Sequence, residues 1–193
     1  MTGERRWAAL QPLRLGVIVG STRPGRVGDR IAAWFVERAR IRPDVEVDVL
    51  DLVEFDFPSR HPTEPTPEML RFTDAVARAE AFVVVTPEYN RGYPASLKQA
   101  IDYAYEEWHA KPVGFVSYGS NSHGLYAVEA LRSVFTELHT VTMRDGVSLD
   151  LLAGGAEQTL PEGLGHAATA LLDELGWWGV ALREARSRRP YVA

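Results

Sequence analysis

Residues 81–94 read AFVVVTPEYNRGYP, a short strand followed at once by a stiff loop. The continuous apolar run at 81–85 is typical of a strand that is covered on both faces. Two prolines, one glycine and two tyrosines follow within nine residues, and a helical pattern starts near Ala95. A loop between a strand and a helix lies at the carboxyl end of a sheet, where open α/β sheets bind ligands. The composition of this loop suits a flat aromatic ligand.

Around this segment, hydrophobic periodicity predicts an alternating series of strands and helices. The predicted strands are residues 14–19, 45–50, 81–86, 112–118 and an interrupted fifth strand at 141–149. The predicted helices begin with apolar positions at 27–38 and continue at 68–78, 95–108, 125–138 and 162–186. Such alternation implies right-handed crossovers and a parallel sheet with helices on both faces.

The length of 193 residues predicts a single domain over 1–193. We expect flexible termini at 1–12 and 187–193, and we interpret the charged stretch 183–189 as a solvated helix end that frays. The segment 53–67 contains four prolines. It is interpreted either as an ordered surface connection or as a lid or partner contact.

Composition excludes several classes of protein. The chain has no cysteine, which excludes disulfides, iron–sulfur clusters and thiolate chemistry and fits a cytoplasmic protein. Its net charge of -5 does not favour nucleic acid. No apolar run approaches the roughly 18 residues that a membrane-spanning helix requires. The N-terminal residues lack the apolar core of a signal peptide.

A second strand-end loop, GSTRPGRVG at residues 20–28, predicts a phosphate site. The first N–H groups of a helix are unpaired and favour an anion in the preceding loop. Ser21 and Thr22 add hydroxyl donors, Arg23 and Arg26 can form charge-assisted bonds, and the glycines allow close backbone approach. The alternative is a capped helix start in which the glycines only shape the turn.

The first loop lacks two known nucleotide-binding motifs, and their absence indicates which kind of phosphate it can bind. Gly20 and Gly25 have the spacing of a P-loop, but Arg26 and Val27 stand where that motif needs Lys and Ser/Thr. No G-x-G-x-x-G follows the first strand. A terminal monophosphate therefore fits this loop better than a triphosphate or a pyrophosphate.

The third strand-end loop, SYGSNSHG at residues 117–124, offers backbone N–H groups and small polar side chains. Ser122 followed by a histidine suggests a hydrolase nucleophile, but the G-x-S-x-G rule fails because Ser120 replaces the first glycine. The histidines at 61, 109, 123, 139 and 166 show no paired metal-ligand spacing. We therefore expect neither a catalytic serine nor a metal site.

Three motifs together resemble the NAD(P)H-dependent FMN reductase family. They are GSTR at 20–23, TPEYNRGYPASLKQAIDY at 86–103 and SYGSNSHG at 117–124, within a resemblance that spans about residues 14–150. The family includes flavin, quinone, azo-dye and chromate reductases. The resemblance implies a flavodoxin-like three-layer sandwich, with a five-stranded parallel sheet in the order 2-1-3-4-5 and helices on both faces.

The resemblance also implies how FMN would be held. The phosphate would contact Ser21, Arg23, Arg26, Val27 and Gly28. Many family members carry a serine at the position of Gly28, and Arg26 is the candidate to replace its hydroxyl. The flavin ring would lie on Pro87, Glu88, Tyr89 and Asn90, with Arg91 and Gly92 at its border. The pyrimidine edge would face Ser117, Tyr118 and Gly119.

The implied activity is oxidoreduction without a catalytic side chain, because the cofactor carries the redox chemistry. Hydride would pass from NADPH or NADH to bound FMN and then to a small acceptor such as a flavin, quinone, azo compound or metal oxyanion. The resemblance implies a homodimer or homotetramer. Two alternatives stay open, a non-enzymatic flavodoxin-like electron carrier and a flavin-based redox sensor.

Overall fold

The computed structural model describes residues 11–151 and 162–192, and the side chain of Glu162 is outside this description. The strands are β1 (Leu13–Val19), β2 (Val45–Asp51), β3 (Ala81–Pro87), β4 (Pro112–Gly119), β5 (Val141–Thr142) and β6 (Val147–Asp150). The α-helices are α1 (Gly28–Arg40), α2 (Pro67–Arg78), α3 (Ala95–Ile101), α4 (Leu125–Glu137) and α5 (Glu162–Arg188). Two 3₁₀ helices lie at Leu52–Glu54 and Glu106–Trp108.

The sheet confirms the predicted fold. Its strands run in the order β2-β1-β3-β4-β5, and β6 pairs with β4. Every pairing is parallel. The carboxyl ends of β1, β3 and β4 therefore lie side by side at one edge, and the loops that follow these strands meet there.

Two apolar clusters cover the two faces of the sheet. On one face, alternate β1 residues such as Leu15 and Val17 pack with Phe35 of α1 and Leu171 of α5. On the other face, residues of α2, α3 and α4 pack against β3 and β4, with Phe72, Leu97 and Leu131 fully buried. Side chains alternate between the two faces of a strand and return to one face of a helix every 3.6 residues, so the sheet is covered by helices on both sides. The predicted three layers are confirmed.

The predicted fifth strand at 141–149 is two short strands. β5 pairs with the start of β4 and β6 pairs with its end. Between them, Arg132 donates to the carbonyl of Met143 at 2.7 Å, and Glu174 accepts the N–H groups of Arg144 and Asp145, both at 3.2 Å. Side chains of α4 and α5 thus satisfy the backbone groups that a continuous strand would have paired.

The predicted helix at 95–108 is wrong in its second half, because α3 ends at Ile101. The buried indole N–H of Trp108 donates to the carbonyl of Ile101 at 3.1 Å. The N–H of Tyr105, which would have closed the next helical turn, donates instead to the carboxylate of Glu107 at 2.9 Å. Trp108 is consequently a core residue.

The end of α5 also differs from the interpretation as a solvated, fraying stretch. The helix continues to Arg188. Arg183 donates to Glu80 at 3.3 Å, and Arg186 donates to the carbonyl of Ala110. The expected flexible terminus at 1–12 lies mostly outside the described residues.

The proline-rich segment 53–67 packs against the rest of the domain through Phe57 and Pro58. Phe57 lies 4.9 Å from Tyr103 between ring centroids, and Gln99 donates to the carbonyl of Pro58 at 2.6 Å. These contacts fit the ordered surface connection. Within 11–151 and 162–192, no helix is long and apolar enough to cross a membrane.

Candidate functional site

The three sequence-predicted loops meet at the carboxyl edge of the sheet. The N–H of Gly20 donates to the carbonyl of Val85 at 2.9 Å, and the N–H of Glu88 donates to the carbonyl of Tyr118 at 3.0 Å. The guanidinium of Arg23 lies 3.6 Å from the centroid of the Tyr89 ring. Each loop therefore contacts another directly, and the site is one continuous surface.

The first loop ends at an uncapped helix. Val27 is the N-cap residue of α1, and it has no side chain able to bind the first free N–H groups of the helix. Gly25 adopts φ +70, a left-handed conformation that suits glycine. Thr22 and Arg23 are exposed beside this end of the helix. The first loop therefore offers a hydroxyl and a guanidinium at the surface, and no side-chain hydrogen bond from Val27 caps the helix that follows it.

Arg26 does not offer its charge to this space, contrary to the sequence-based interpretation. Its guanidinium makes a two-point ion pair with Asp51 at the end of β2, with Nη1 2.5 Å from Oδ1. The same Nη1 donates to the carbonyl of Ser21 at 2.6 Å. Hydrogen bonding to Asp51 raises the pKa of Arg26. Arg26 thus fastens the loop to the neighbouring strand.

Tyr118 occupies the space beside Gly28. Its hydroxyl donates to Oγ of Ser21 at 3.0 Å, and both side chains are buried. A Cβ on Gly28 would lie 2.4 Å from Oγ of Ser21 and 2.5 Å from the Tyr118 hydroxyl. Burial raises the pKa of Tyr118 to about 12, so its hydroxyl keeps the proton that it donates. The Tyr118 side chain therefore holds the first loop through Ser21, and the pyrimidine edge expected at Ser117, Tyr118 and Gly119 stays a prediction.

The second loop is a tight turn. Tyr89 and Gly92 exchange two backbone hydrogen bonds of 2.8 and 3.0 Å. The residues between them, Asn90 and Arg91, have φ values of 51° and 68°. Positive φ at both central positions is the signature of a type I′ turn. Two backbone hydrogen bonds therefore close this turn, within the loop that the sequence predicts to be stiff.

Tyr126 at the start of α4 is a further site residue that the sequence motifs did not single out. The carboxylate of Glu88 accepts its N–H at 3.1 Å, and the guanidinium of Arg91 lies 4.2 Å from its ring centroid. Tyr126 is 43% exposed. The sequence signal that could have identified Tyr126 is an aromatic residue at the second position of the helix that follows the third loop. Tyr126 places a second aromatic ring beside the turn.

The third loop is held by its own backbone. The Ser117 hydroxyl donates to the carbonyl of His123 at 2.9 Å, and Gly124 has φ +90. His123 lies 3.5 Å from Asp150, so this ring faces β6. The described residues show no hydrogen bond from a histidine to the hydroxyl of Ser122, and they contain no cluster of three metal-ligating side chains. The geometry offers no support for the hydrolase interpretation.

The arrangement fits a ligand with a phosphate at one end and a flat ring at the other. Thr22, Arg23 and the first turn of α1 are the candidates for the anion-binding end. Tyr89, the type I′ turn and Gly119 form a ledge, and a Cβ on Gly119 would lie 3.0 Å from the N–H nitrogen of Gly124. Glycine at this position allows the close approach of Gly124. Four of the predicted residues, Ser21, Arg26, Ser117 and Tyr118, instead use their side chains to bind partners within the protein.

Comparison with known proteins identifies relatives. The family model described as NADPH-dependent FMN reductase matches residues 13–152. An NAD(P)H-dependent FMN reductase of Schizosaccharomyces pombe is 38% identical over 119 residues, which cover 56% of this chain and 58% of that protein. A quinone reductase of Pseudomonas putida is 34% identical over 122 residues, which cover 59% of this chain and 64% of that protein. The chain thus spans less than two thirds of the length of either relative.

A solved structure shares the fold. The flavoenzyme FerB of Paracoccus denitrificans, an NAD(P)H:(acceptor) oxidoreductase, superposes with a TM-score of 0.70 at 22% identity. The match covers 84% of this chain and 97% of that chain. Because its model matches well over half of the sequence, this chain belongs to the NADPH-dependent FMN reductase family, whose cofactor is FMN and whose reductant is a nicotinamide dinucleotide.

Proposed function

We propose that this chain is an FMN-dependent NAD(P)H oxidoreductase that reduces a small acceptor. The observation that carries the proposal is the contact between the first and second loops, where Arg23 lies on the ring of Tyr89. This contact supports a site in which one mononucleotide would reach from the start of α1 to the ledge. Family membership supplies the identity of that mononucleotide.

The phosphate of FMN would be held by Arg23, Thr22 and the N–H groups of the first turn of α1. Helix N–H groups and a guanidinium together favour a dianion. Ser21 is fully buried and linked to Tyr118, so it contributes its backbone and the shape of the loop. Arg23 would therefore be the only residue of this loop whose side-chain charge contacts the phosphate, since Arg26 is paired with Asp51.

The ring of FMN would lie on the ledge formed by Tyr89, the backbone of the type I′ turn and Gly119. FMN, when bound, supplies the hydride and electron transfer chemistry. The residues of the chain orient it, and N–H groups of the third loop stabilise negative charge at the ring edge. The proposal assigns no side chain of the site as an acid or a base.

The acceptor is proposed to be a small, flat, electron-poor molecule. Relatives are named quinone reductase and FMN-dependent NADPH-azoreductase, and quinones and azo compounds share this chemistry. The half-exposed rings of Tyr89 and Tyr126 would border the approach to the ledge. Flat acceptors pack on such rings.

The flavin content of the protein tests the proposal. Purified protein is incubated with excess FMN, desalted and denatured by heat, and the flavin released is measured. We expect one FMN per chain. A supernatant without flavin, or one that retains FAD but not FMN, contradicts the proposal. Rapid steady-state oxidation of NAD(P)H with a small quinone separates the enzyme from an electron carrier or a redox sensor.

Assembly and location complete the proposal. Leu125 and Tyr126 beside the second and third loops are 55% and 43% exposed, and Leu151 is 40% exposed. This apolar surface next to the site supports a homodimer or homotetramer, and a monomer by light scattering at micromolar concentration would contradict it. The absence of cysteine supports a cytoplasmic location, which fractionation of the source cells would test.

A further inference from the structure

A second cavity lies at the opposite edge of the sheet, at the start of β4. It has a volume of about 720 Å³ and lies where α2, α4 and α5 end, next to the 3₁₀ helix Glu106–Trp108. Its lining includes Tyr105, His109, Lys111, His139, Arg186 and Tyr191. The length of β4 separates it from the proposed FMN loops. None of the sequence motifs of the family falls in this cavity.

One wall of the cavity is a set of contacting flat rings. The His109 ring lies 4.9 Å from His139, 5.1 Å from Tyr105 and 5.7 Å from Tyr191 between centroids. A hydrogen bond of 3.0 Å joins Nδ1 of His139 to the hydroxyl of Tyr191. Such a wall offers ring faces and edges to a planar ligand.

The backbone that carries this wall is unusual. Ala110 and His139 adopt φ values of 52° and 56°, in the left-handed region that non-glycine residues rarely use. The N–H of Ala110 donates to the carbonyl of His139 at 2.9 Å, so the two strained positions are joined. Strained positions of this kind persist only where surrounding contacts enforce them. Here they bring the rings of His109 and His139 together.

The cavity also contains cationic donors with hydrogen-bonding capacity left over. Lys111 is 7% exposed and donates to the carbonyls of Val76 and Ala77 at 2.8 and 3.0 Å. These two bonds leave the third N–H of its ammonium group without an acceptor among the described residues. Arg186 donates only to the carbonyl of Ala110 within the same part of the chain.

The polar groups of the cavity have few partners within the described residues. Nε2 of His109 is buried without a hydrogen-bond partner in the described part of the chain. No carboxylate within 11–151 and 162–192 makes an ion pair with Lys111 or Arg186, although Glu106 and Glu107 line the cavity. Glu80 and Glu107 favour the charged form of Lys111, and Glu80 favours that of Arg186, but a buried cation without a carboxylate in direct contact is still costly. An anion in the cavity would remove that cost.

We propose that this cavity binds a small aromatic carboxylate, with the carboxylate at Lys111 and Arg186 and the ring against His109, His139 and Tyr191. Carboxylates form their strongest hydrogen bonds with guanidinium and ammonium groups. The cavity is large enough for a single ring with substituents. The proposal is independent of FMN, since none of these residues belongs to the three loops.

Proton uptake is an expected consequence of such binding. Burial, with a smaller contribution from Arg186, lowers the pKa of Lys111 to about 7. Arg14 also lowers this pKa, whereas Glu107 and Glu80 raise it. A bound carboxylate would raise the pKa of Lys111 again. At pH 8 the complex should therefore take up a proton from the buffer.

The test uses the full chain loaded with FMN and benzoate as the probe. Titration is followed by calorimetry and by the side-chain NMR signals of the histidines. We expect a dissociation constant on the order of a millimolar or tighter, with shifts of His109 and His139 and none of His123 at the other edge. Benzamide, which is neutral, and acetate, which has no ring, should each bind at least tenfold more weakly.

Variants decide whether the named cations are responsible. Lys111→Met and Arg186→Gln should each weaken benzoate binding at least tenfold, and Lys111→Met should abolish proton uptake at pH 8. Retained FMN content and an unchanged circular dichroism spectrum show that each variant is folded. If Lys111→Met does not fold, Arg186→Gln alone carries the test. Undetectable binding at tens of millimolar, equal binding of benzamide, or unchanged binding in the folded variants would overturn the proposal.

Discussion

Arg23 and Arg26 belong to the same short loop, but their side chains have different surroundings. Arg26 is held between Asp51 and the carbonyl of Ser21, and its side chain is 13% exposed. Arg23 is exposed and contacts only the face of the Tyr89 ring among the described residues. A guanidinium that lies over an aromatic ring is attracted to the face of that ring and not to a hydrogen-bond acceptor. Its N–H groups are therefore still available to bind an anion. Arg23 is therefore the side chain able to meet a phosphate.

We predict that Arg23→Ala weakens FMN binding about tenfold, because a charge-assisted hydrogen bond to a solvent-accessible phosphate is lost. Riboflavin, which lacks the phosphate, should bind wild type and variant almost equally. Fluorescence titration of both flavins provides the measurement. Arg40→Ala at the far end of α1 removes the same charge and serves as the control. Equal losses for FMN and riboflavin would show that Arg23 supports the loop and not the phosphate.

The contact among Tyr118, Ser21 and Gly28 yields a second prediction at this scale. Tyr118→Phe removes the donor to the buried hydroxyl of Ser21, so the free energy of unfolding should fall by about 1 kcal/mol. Gly28→Ser should be more damaging, because its Cβ would overlap both the Ser21 and Tyr118 oxygens. Denaturant unfolding of both single variants and of the double variant gives the interaction free energy between positions 28 and 118.

The double variant separates steric conflict from loss of glycine flexibility. If the Tyr118 hydroxyl occupies the space of a residue-28 side chain, Tyr118→Phe should partly rescue Gly28→Ser. Additive losses in the double variant would mean that the overlap with the Tyr118 hydroxyl has no energetic effect. The sequence could not reveal this contact, since the two residues come from different strand ends, and Tyr118 lies 97 positions from Ser21.

At the scale of elements, α3 shows why periodicity predicted a helix that is too long. Leu97, Ile101, Ala104, Tyr105 and Trp108 keep helical spacing, and the spacing alone favours a continuous helix. The chain leaves the helix because the indole of Trp108 takes the Ile101 carbonyl. A side-chain hydrogen bond of this kind leaves no signal in the hydrophobic pattern. Tertiary packing therefore set this boundary.

Trp108→Phe tests that boundary. The ring contacts with Phe82 and Phe135, at 4.7 and 5.4 Å, would persist in part, while the bond to Ile101 is lost. We expect a loss of roughly 2 kcal/mol in the free energy of unfolding and unchanged FMN affinity. Trp177→Phe on the exposed face of α5 is the matched control, expected within about 0.5 kcal/mol of wild type. A Trp108→Phe variant as stable as wild type would contradict this account.

The elements that were predicted correctly share a simple physical basis. Residues 81–85 are apolar throughout because β3 is covered on both faces, and the following Pro and Gly residues can only form a turn. The position of the three loops at one edge follows from parallel pairing. The ion pair of Arg26 with Asp51 could not be predicted, because it depends on how the end of β2 meets the first loop. Sequence thus predicts where donors lie better than which of them are already paired.

At the scale of the whole molecule, the two edges of the sheet differ in electrostatic character. The carboxyl edge presents the exposed Arg23 and Arg91, whereas the amino edge buries Lys111 beneath the ends of α2 and α5. Burial there is accompanied by bonds to two helix carbonyls, so the ammonium group is positioned without being neutralised. Lys111 is consequently a strongly desolvated cation, and the stability of the domain should depend on pH because of it.

The sign of that dependence follows from the pKa of Lys111, which burial lowers to about 7 in the folded chain. The unfolded lysine has its ordinary pKa of about 10.4. Between these values the unfolded chain binds a proton that the folded chain does not, so stability rises with pH. Tyr118, with a pKa raised to about 12, acts in the opposite sense only above about pH 10. The pH interval from 7 to 9 therefore isolates the lysine.

We predict that the free energy of unfolding of wild type rises relative to that of Lys111→Met by roughly 2 kcal/mol from pH 7 to pH 9. Lys98→Met is the control, because Lys98 is the other lysine of the chain and its ammonium group lies at the surface in an ion pair with Asp102. Its stability should run parallel to wild type over the same interval. Urea unfolding at pH 7, 8 and 9 gives all three curves. Parallel curves for wild type and Lys111→Met would show that the Lys111 ammonium group is solvated, and the amino-edge cavity would then lack the desolvated cation on which aromatic carboxylate binding depends.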